Sequence, residues 1–169
     1  MTQLSFSSFD SSLLGRDAQG RYMPASMDQI LDAARQVIDQ KIQRGMSFTS
    51  PALVKEYLCA KLAGFEHEVF AVLFLDSQHR LIEYSEMFRG TIDSASVYLR
   101  EVVKEALRLN AAAVIFSHNH PSGNPEPSRA DEAITKRLKE SLALVDVRTL
   151  DHVIVAGSDT TSFAERGLI

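Results

Sequence analysis

Between Ser117 and Asp131 the chain reads SHNHPSGNPEPSRAD, and no other stretch restricts the fold so tightly. An apolar run, Ala112 to Phe116, leads into it and predicts a buried strand. Pro121, Gly123, Pro125 and Pro127 prevent that strand from continuing and shape a stiff turn. Ser128 and Asp131 then stand three apart, as the N-cap and the acidic third position of a helix. Strand, turn and helix must therefore follow one another at once, with the helix start returned to the strand end.

The rest of the chain supplies the frame. Residues 1–25 are rich in Ser, Gly, Asp and Gln and are expected to hold little regular structure. Ser26 with Gln29 predicts a capping box, and Ile30, Ala34, Val37, Ile38 and Ile42 mark an apolar stripe closed by Gly45. Ser50-Pro51 starts a second helix, with Leu53, Val54, Tyr57, Leu58 and Leu62 inward and Gly64 as its stop. Val69 to Leu75 (VFAVLFL) reads as a buried strand, Asp76 to His79 as a turn, and Arg80 to Phe88 as the second strand of a hairpin. A helix is expected from about Ser94 to Leu109, stopped at Asn110. Another runs from Ser128 to about Leu142, with Ile134, Leu138 and Leu142 inward. Strands are expected at Val145–Thr149 and His152–Ala156, then a turn at Gly157–Thr160 and a last helical turn over Ser162–Gly167. This order predicts an α/β domain, a mixed sheet with packed helices, over residues 50–169, with a short helical N-terminal extension over residues 1–49.

Composition narrows the classes of function. No apolar run approaches the ~18 residues that span a bilayer, and the N-terminus lacks the basic start and apolar stretch of a signal peptide. Cys59 is the only cysteine, so no internal disulfide framework exists and a cytoplasmic setting is the simplest expectation. The net charge of -4 argues against non-specific nucleic-acid binding, which rests on many Lys and Arg contacts to phosphate.

Two residues apart on extended backbone, His118 and His120 point to one side with their Cα atoms about 6.5–7 Å apart. Asn119 between them points away. Asp131, brought back by the turn, adds an oxygen, and two imidazoles with one carboxylate suit a zinc ion with one position open to water. A carboxylate must then act as general base. Glu68, at the start of the first strand of the hairpin, is preferred and Glu66 comes next; Glu83 and Glu86 lie further along, and spacing alone does not separate them. The Ser128 hydroxyl can cap the helix and also donate to a developing oxyanion.

The pattern HxH, seven residues, Ser, two residues, Asp resembles the JAMM metal signature of JAB/MPN-domain metalloproteases. The fuller HNHPSGNPEPSRAD, with FRGTID upstream and DHVIV and SFAERG downstream, is similar to the RadC-like branch, also known as the UPF0758 type. The resemblance covers roughly Ser50 to Ile169. It implies a cytidine-deaminase-like sheet with zinc on His118, His120 and Asp131, and Ser128 in the place of the oxyanion-stabilising serine. It also favours Glu68 as the base, because Glu68-Val69-Phe70 matches the family's Glu-x-Phe. Leu99 stands where family members often carry Pro. No helix-hairpin-helix region accompanies the motif, which disfavours a DNA-repair role.

Other residues receive plainer readings. His152, after Asp151, is read as a buried structural histidine ahead of a partner that orients a ligand; His67 and His79 as surface histidines; Cys59 as packing; Thr135–Lys139 (TKRLK) as a solvated basic face. Asn119 and Ser122 lie close enough to touch a substrate. The expectation is a zinc-dependent hydrolase, a metallopeptidase or isopeptidase acting on a peptide or protein. The alternatives are a non-peptidase metal hydrolase and a DNA- or protein-binding module with a non-catalytic metal. The last would need a fourth protein ligand, and no spare Cys or His is evident.

Overall fold

The computed structural model describes residues 13–41, 47–48, 50–90 and 97–169. Its elements are β1 (Leu14–Arg16), β2 (Tyr22–Pro24), α1 (Met27–Lys41), α2 (Pro51–Leu62), β3 (Val69–Leu75), β4 (Leu81–Arg89), α3 (Leu99–Arg108), β5 (Ala113–Asn119), α4 (Arg129–Ala143), β6 (Arg148–Ala156) and β7 (Asp159–Ser162). The main sheet has the order β4-β3-β5-β6-β7. Only β5 and β6 run parallel, joined through α4; the other pairs are antiparallel. This is the mixed α/β architecture that the order of elements predicts.

The central strand explains itself. All seven residues of β3 are apolar and buried, because the sheet is covered on both faces. Val69, Ala71, Leu73 and Leu75 join Val54, Tyr57, Leu58 and Leu62 of α2 in one core. Phe70, Val72 and Phe74 join Val102 and Ala106 of α3 and Leu138 and Leu142 of α4 in the other. Burying each Leu or Phe contributes about 1.5–3 kcal/mol, so β3 anchors both layers.

The helix starts behave as their caps dictate. Ser50 accepts from the Leu53 N–H with Pro51 in the first turn. At α1 the Ser26 N–H donates to Gln29 Oε1 (3.0 Å) and the Gln29 N–H to Ser26 Oγ (3.2 Å), the expected box. Gly64 has φ +76°, and a Cβ there would lie 2.5 Å from Leu31 Cδ1, so glycine is needed both for the turn and for the seat of α1.

Several expectations are corrected. Residues 14–24 form a small β1-β2 hairpin. The predicted stripe on α1 holds at Ile30, which is half-buried, and fails at Ala34 and Val37, which face solvent; Leu31 and Arg35 turn inward, and the Arg35 guanidinium lies over the Phe65 ring and donates to the Ala63 carbonyl, while the Ile38 side chain lies outside the described residues. Ile42, Gly45 and the helix start at Ser94 fall outside the described residues. Val97 lies outside the helix and Tyr98 is extended, so α3 begins at Leu99, a first helical position where proline is also favoured; Asn110 stops it at φ +51°. The two strands expected at 145–149 and 152–156 are one, β6, and the residues read as a turn at its end form the hairpin to β7. Residues 163–167 make turns rather than a helix. Among the described residues no helix is long and apolar enough to cross a membrane.

Candidate metal centre

The site lies where β5 ends, α4 begins and β3 starts. In α/β sheets, ligands gather outside the carboxyl ends of strands, and here the β5-to-α4 connection provides that crevice. His118 lies inside β5, opposite Phe70 of β3, and is almost wholly buried. His120 follows the strand end, its N–H bonded to the Val155 carbonyl of β6 (2.8 Å). The turn folds back through a Gly123 N–H bond to the His120 carbonyl (3.0 Å), and Arg166 holds Glu126 through two 2.7 Å contacts.

Asp131 is aimed by the capping box at the start of α4. The Ser128 N–H donates to its Oδ2 (2.7 Å), while its own N–H donates to Ser128 Oγ (3.1 Å). Ser128 Oγ therefore accepts at the helix and keeps its hydroxyl proton free to donate. The cap leaves that proton available for a second partner.

Three donor groups converge. His118 Nε2 and His120 Nε2 are 2.9 Å apart, His118 Nε2 is 3.3 Å from Asp131 Oδ1, and His120 Nε2 is 3.7 Å from Asp131 Oδ2. Tetrahedral ligands at zinc distances stand roughly 3.3 Å from one another, so the spacing suits such an ion. Among the described residues, His118, His120 and Asp131 are the one group able to hold a metal. They line a cleft of about 470 Å³ together with Glu68, Ser128, Phe70 and Val97. Of the carboxylates considered for the base, Glu68 reaches this cleft, whereas Glu66, Glu83 and Glu86 do not line it.

The ring nitrogens facing away from the site have partners too. His120 Nδ1 donates to the Asn124 carbonyl (2.7 Å), which leaves Nε2 bare. His118 Nδ1 meets His152 Nε2 at 2.8 Å, His152 Nδ1 meets Thr135 Oγ1 at 2.6 Å, and Thr135 Oγ1 lies 2.5 Å from the Asp131 carbonyl. Two proton orders satisfy the His118–His152 contact, but Thr135 has one hydroxyl proton and the Asp131 carbonyl can only accept, so only the order that leaves His118 Nε2 bare satisfies all three contacts. In that order the His118 Nδ1–H donates to His152, the His152 Nδ1–H donates to Thr135, and the Thr135 hydroxyl donates to the Asp131 carbonyl. His152 is thus a buried histidine and an orienting partner at once. Thr135, placed with the solvated residues of the TKRLK stretch, is fully buried.

Electrostatics favour a cation. Burial lowers the His152 pKa well below the ordinary value, with the neighbouring His118 adding to the effect, so its ring stays neutral among Phe70, Phe116 and Phe163. Burial pushes the Asp131 carboxyl up, but hydrogen bonds from His118 and His120 outweigh it and hold the acid well below the carboxylate range. His120 is raised, first by its bond to Asp131, with the charge of Glu68 adding to it. With both Nδ1 protons turned outward, two Nε2 lone pairs and a carboxylate would face one another, and only a positive charge relieves that arrangement.

Asn119 turns away from the donors, as alternation requires, but it is not idle. Its Oδ1 accepts from the Val69 N–H (2.7 Å) and its Nδ2 donates to the His67 carbonyl (3.0 Å). His67 is half-buried against Phe65, so it is not a plain surface residue, whereas His79 sits in an exposed turn at a left-handed position beside Arg148. Cys59 packs on the core, and burial pushes its thiol up.

The chain is similar to known proteins. A UPF0758 protein of Vibrio cholerae serotype O1 is 63% identical over 139 residues, 82% of this chain and 87% of the relative. A UPF0758 protein of Methylibium petroleiphilum is 59% identical over 145 residues, 86% of this chain and 65% of the relative. Against that relative, and others such as the Marinobacter nauticus protein, the chain thus spans just under two thirds of the length. Residues 48–168, which carry every donor described above, match the RadC-like JAB domain, and the chain belongs to that family.

Proposed function

We propose that the chain is a zinc-dependent hydrolase, a metallopeptidase or isopeptidase whose substrate is a peptide or protein. The observation that carries the reading is the convergence of three protein donors in a cleft also lined by a carboxylate and a free hydroxyl. A structural zinc site is closed by four protein ligands, whereas three leave a position for water. Zinc bound there would polarise a carbonyl and bring the pKa of its water to ~7. Imidazole nitrogen and carboxylate oxygen suit zinc, although other divalent ions accept the same set.

The residues then divide the work. Glu68 takes the proton of the attacking water and returns it to the leaving amine. The Ser128 hydroxyl donates to the oxyanion, since its lone pair already serves the Asp131 N–H. His118 and His120 would hold the cation with Nε2, left available by bonds at Nδ1. Phe70, Val97 and Ile134 give the cleft apolar walls that exclude water beside the reacting bond.

Incubation of the zinc-loaded chain with a quenched-fluorescent peptide library and with isopeptide-linked peptides tests the reading. Turnover should vanish in Glu68→Gln with zinc retained, and His118→Ala should lose the metal. Undiminished turnover in Glu68→Gln would remove the base assignment.

A further inference from the structure

We propose that Asn119 is the positioning residue for Glu68. Its carboxamide grips the peptide groups on both sides of the base and so sets Glu68 against the two histidines that flank Asn119 in sequence. The inference rests on the reading of Glu68 as the base.

The contacts are local and complete. The β3-β5 ladder has its outermost pair at Phe70 and His118. One residue further out, the main chain of Asn119 is paired instead with Val155 of β6. Its side chain then takes over the link to β3, accepting from the Val69 N–H at 2.7 Å and donating to the His67 carbonyl at 3.0 Å. From the other side the Gly90 N–H donates to the Glu68 carbonyl at 2.8 Å. Thus β5 holds the peptide groups before and after Glu68, and Gly90, just past the end of β4, holds its own carbonyl. Asn119 is 4% exposed, so these bonds are shielded from water.

The chemistry demands this side chain. One acceptor and one donor on a short planar group are needed, and among side chains of that length only Asn carries both on a planar amide. Asp keeps the acceptor but turns an oxygen toward the His67 carbonyl. Ala leaves both peptide groups unsatisfied. Base and metal donors must hold their relation closely, since a 1 Å misplacement can cost about 10²-fold in rate. A residue between two ligands, bonded around the base, is well placed to maintain that relation.

The test uses Asn119→Ala and the near-isosteric Asn119→Asp in the full chain. Zinc affinity, read by chelator competition, should stay near that of the unaltered protein, because the β5 ladder and the Asn124 carbonyl still hold the two imidazoles. In Asn119→Ala the Val69 amide should exchange with solvent at least about tenfold faster, for one lost buried bond of about 1.4 kcal/mol, while amides deeper in β3 are unchanged. The pH midpoint of the visible spectrum of the Co2+-loaded chain should move in both Asn119 variants in the direction seen for Glu68→Gln. Adding either Asn119 change to Glu68→Gln should move it no further. Unchanged Val69 exchange in Asn119→Ala overturns the clasp. A midpoint that moves in Glu68→Gln but in neither Asn119 variant overturns the coupling to the base. A midpoint unmoved in Glu68→Gln itself removes the base reading on which the proposal stands, a result distinct from failure of the Asn119 variants alone. Loss of zinc in both Asn119 variants would make the residue a support of the metal donors instead, and would likewise overturn the proposal.

Discussion

Thr135→Val removes one oxygen and almost no volume, and the structure predicts that it will weaken metal binding without any contact to the metal. Thr135 Oγ1 ends the chain that begins at His118 Nδ1. With a metal bound, His118 Nε2 must be bare, so protons must sit on His118 Nδ1 and His152 Nδ1. In the variant the His152 Nδ1–H would face a methyl group in a fully buried site. An unsatisfied buried donor costs about 1–3 kcal/mol. The reverse proton order leaves only a lone pair at that point, but it places a proton on His118 Nε2, where the metal belongs. The penalty therefore falls on the metal-bound state, and 1–3 kcal/mol corresponds to a loss of roughly 5–150-fold in affinity. The same order of loss follows generally from removing partners that orient metal ligands. Chelator competition gives the affinity, and imidazole 15N shifts of His118 and His152 report which nitrogens carry protons. Thr135→Ser keeps the hydroxyl and should bind zinc nearly as the unaltered chain does. Equal zinc affinity in Thr135→Val, with the His118 proton still on Nδ1, would refute the reasoning.

Two further outcomes follow from the site. In the metal-free chain, at pH below the raised pKa of His120, a proton holds the place of the cation. Zinc must displace it, so affinity should fall about tenfold per pH unit below that raised value and level off above it for this proton. The sign for stability is opposite in the metal-free protein: the His120 contribution is fully present below the unfolded pKa of about 6.5 and is lost as pH rises through the folded value. The stabilisation by zinc, read as the difference in Tm between loaded and metal-free chains, should therefore grow over that window; a gap that shrinks would contradict it. Ser128→Ala should cost about 0.5–2 kcal/mol as a lost cap, measured by urea unfolding. It should also lower turnover while zinc stays bound, and turnover reduced only in proportion to the unfolded fraction would leave Ser128 as a cap alone.

The parts of the fold legible in the sequence are those where one local rule governs. The run VFAVLFL had to be a strand buried on both faces, and Ser26 with Gln29 had to cap a helix. What could not be read is set by packing. The α1 stripe was assigned to Ile30, Ala34, Val37, Ile38 and Ile42, yet Ala34 and Val37 face solvent and the helix seats on Gly64 and Phe65 through Leu31 and Arg35. Strand β6 looked broken at Asp151 because a buried-sheet strand rarely holds a carboxylate. That carboxylate is satisfied by the His152 N–H, the Ser162 hydroxyl and the Ala164 N–H, beside a bulge opposite Val114 and Ile115. The same polarity disguised β7.

The candidate donors were legible because one fourteen-residue span, His118 to Asp131, contains them all. His152 was legible as a buried histidine that could also orient a ligand, but Thr135 was not, since its link to His152 crosses from a helix to a strand and lies outside that span. A signal existed for Thr135. It stands four residues after Asp131 and three before Leu138, on the inward line of α4, where a hydroxyl needs a buried partner. Asn119 gave no such signal, because the groups it holds lie about fifty residues away in sequence, separations of 50 and 52.

The most direct test of the account is the coordination of the metal in the loaded, full chain, by metal analysis together with X-ray absorption and a crystal structure. The account predicts one zinc per chain at about 2.0–2.2 Å from His118 Nε2, His120 Nε2 and an Asp131 oxygen, with a solvent molecule in the fourth place and the Glu68 carboxylate within hydrogen-bond reach of it. A fourth protein ligand, or a chain that retains no metal at neutral pH, would contradict it.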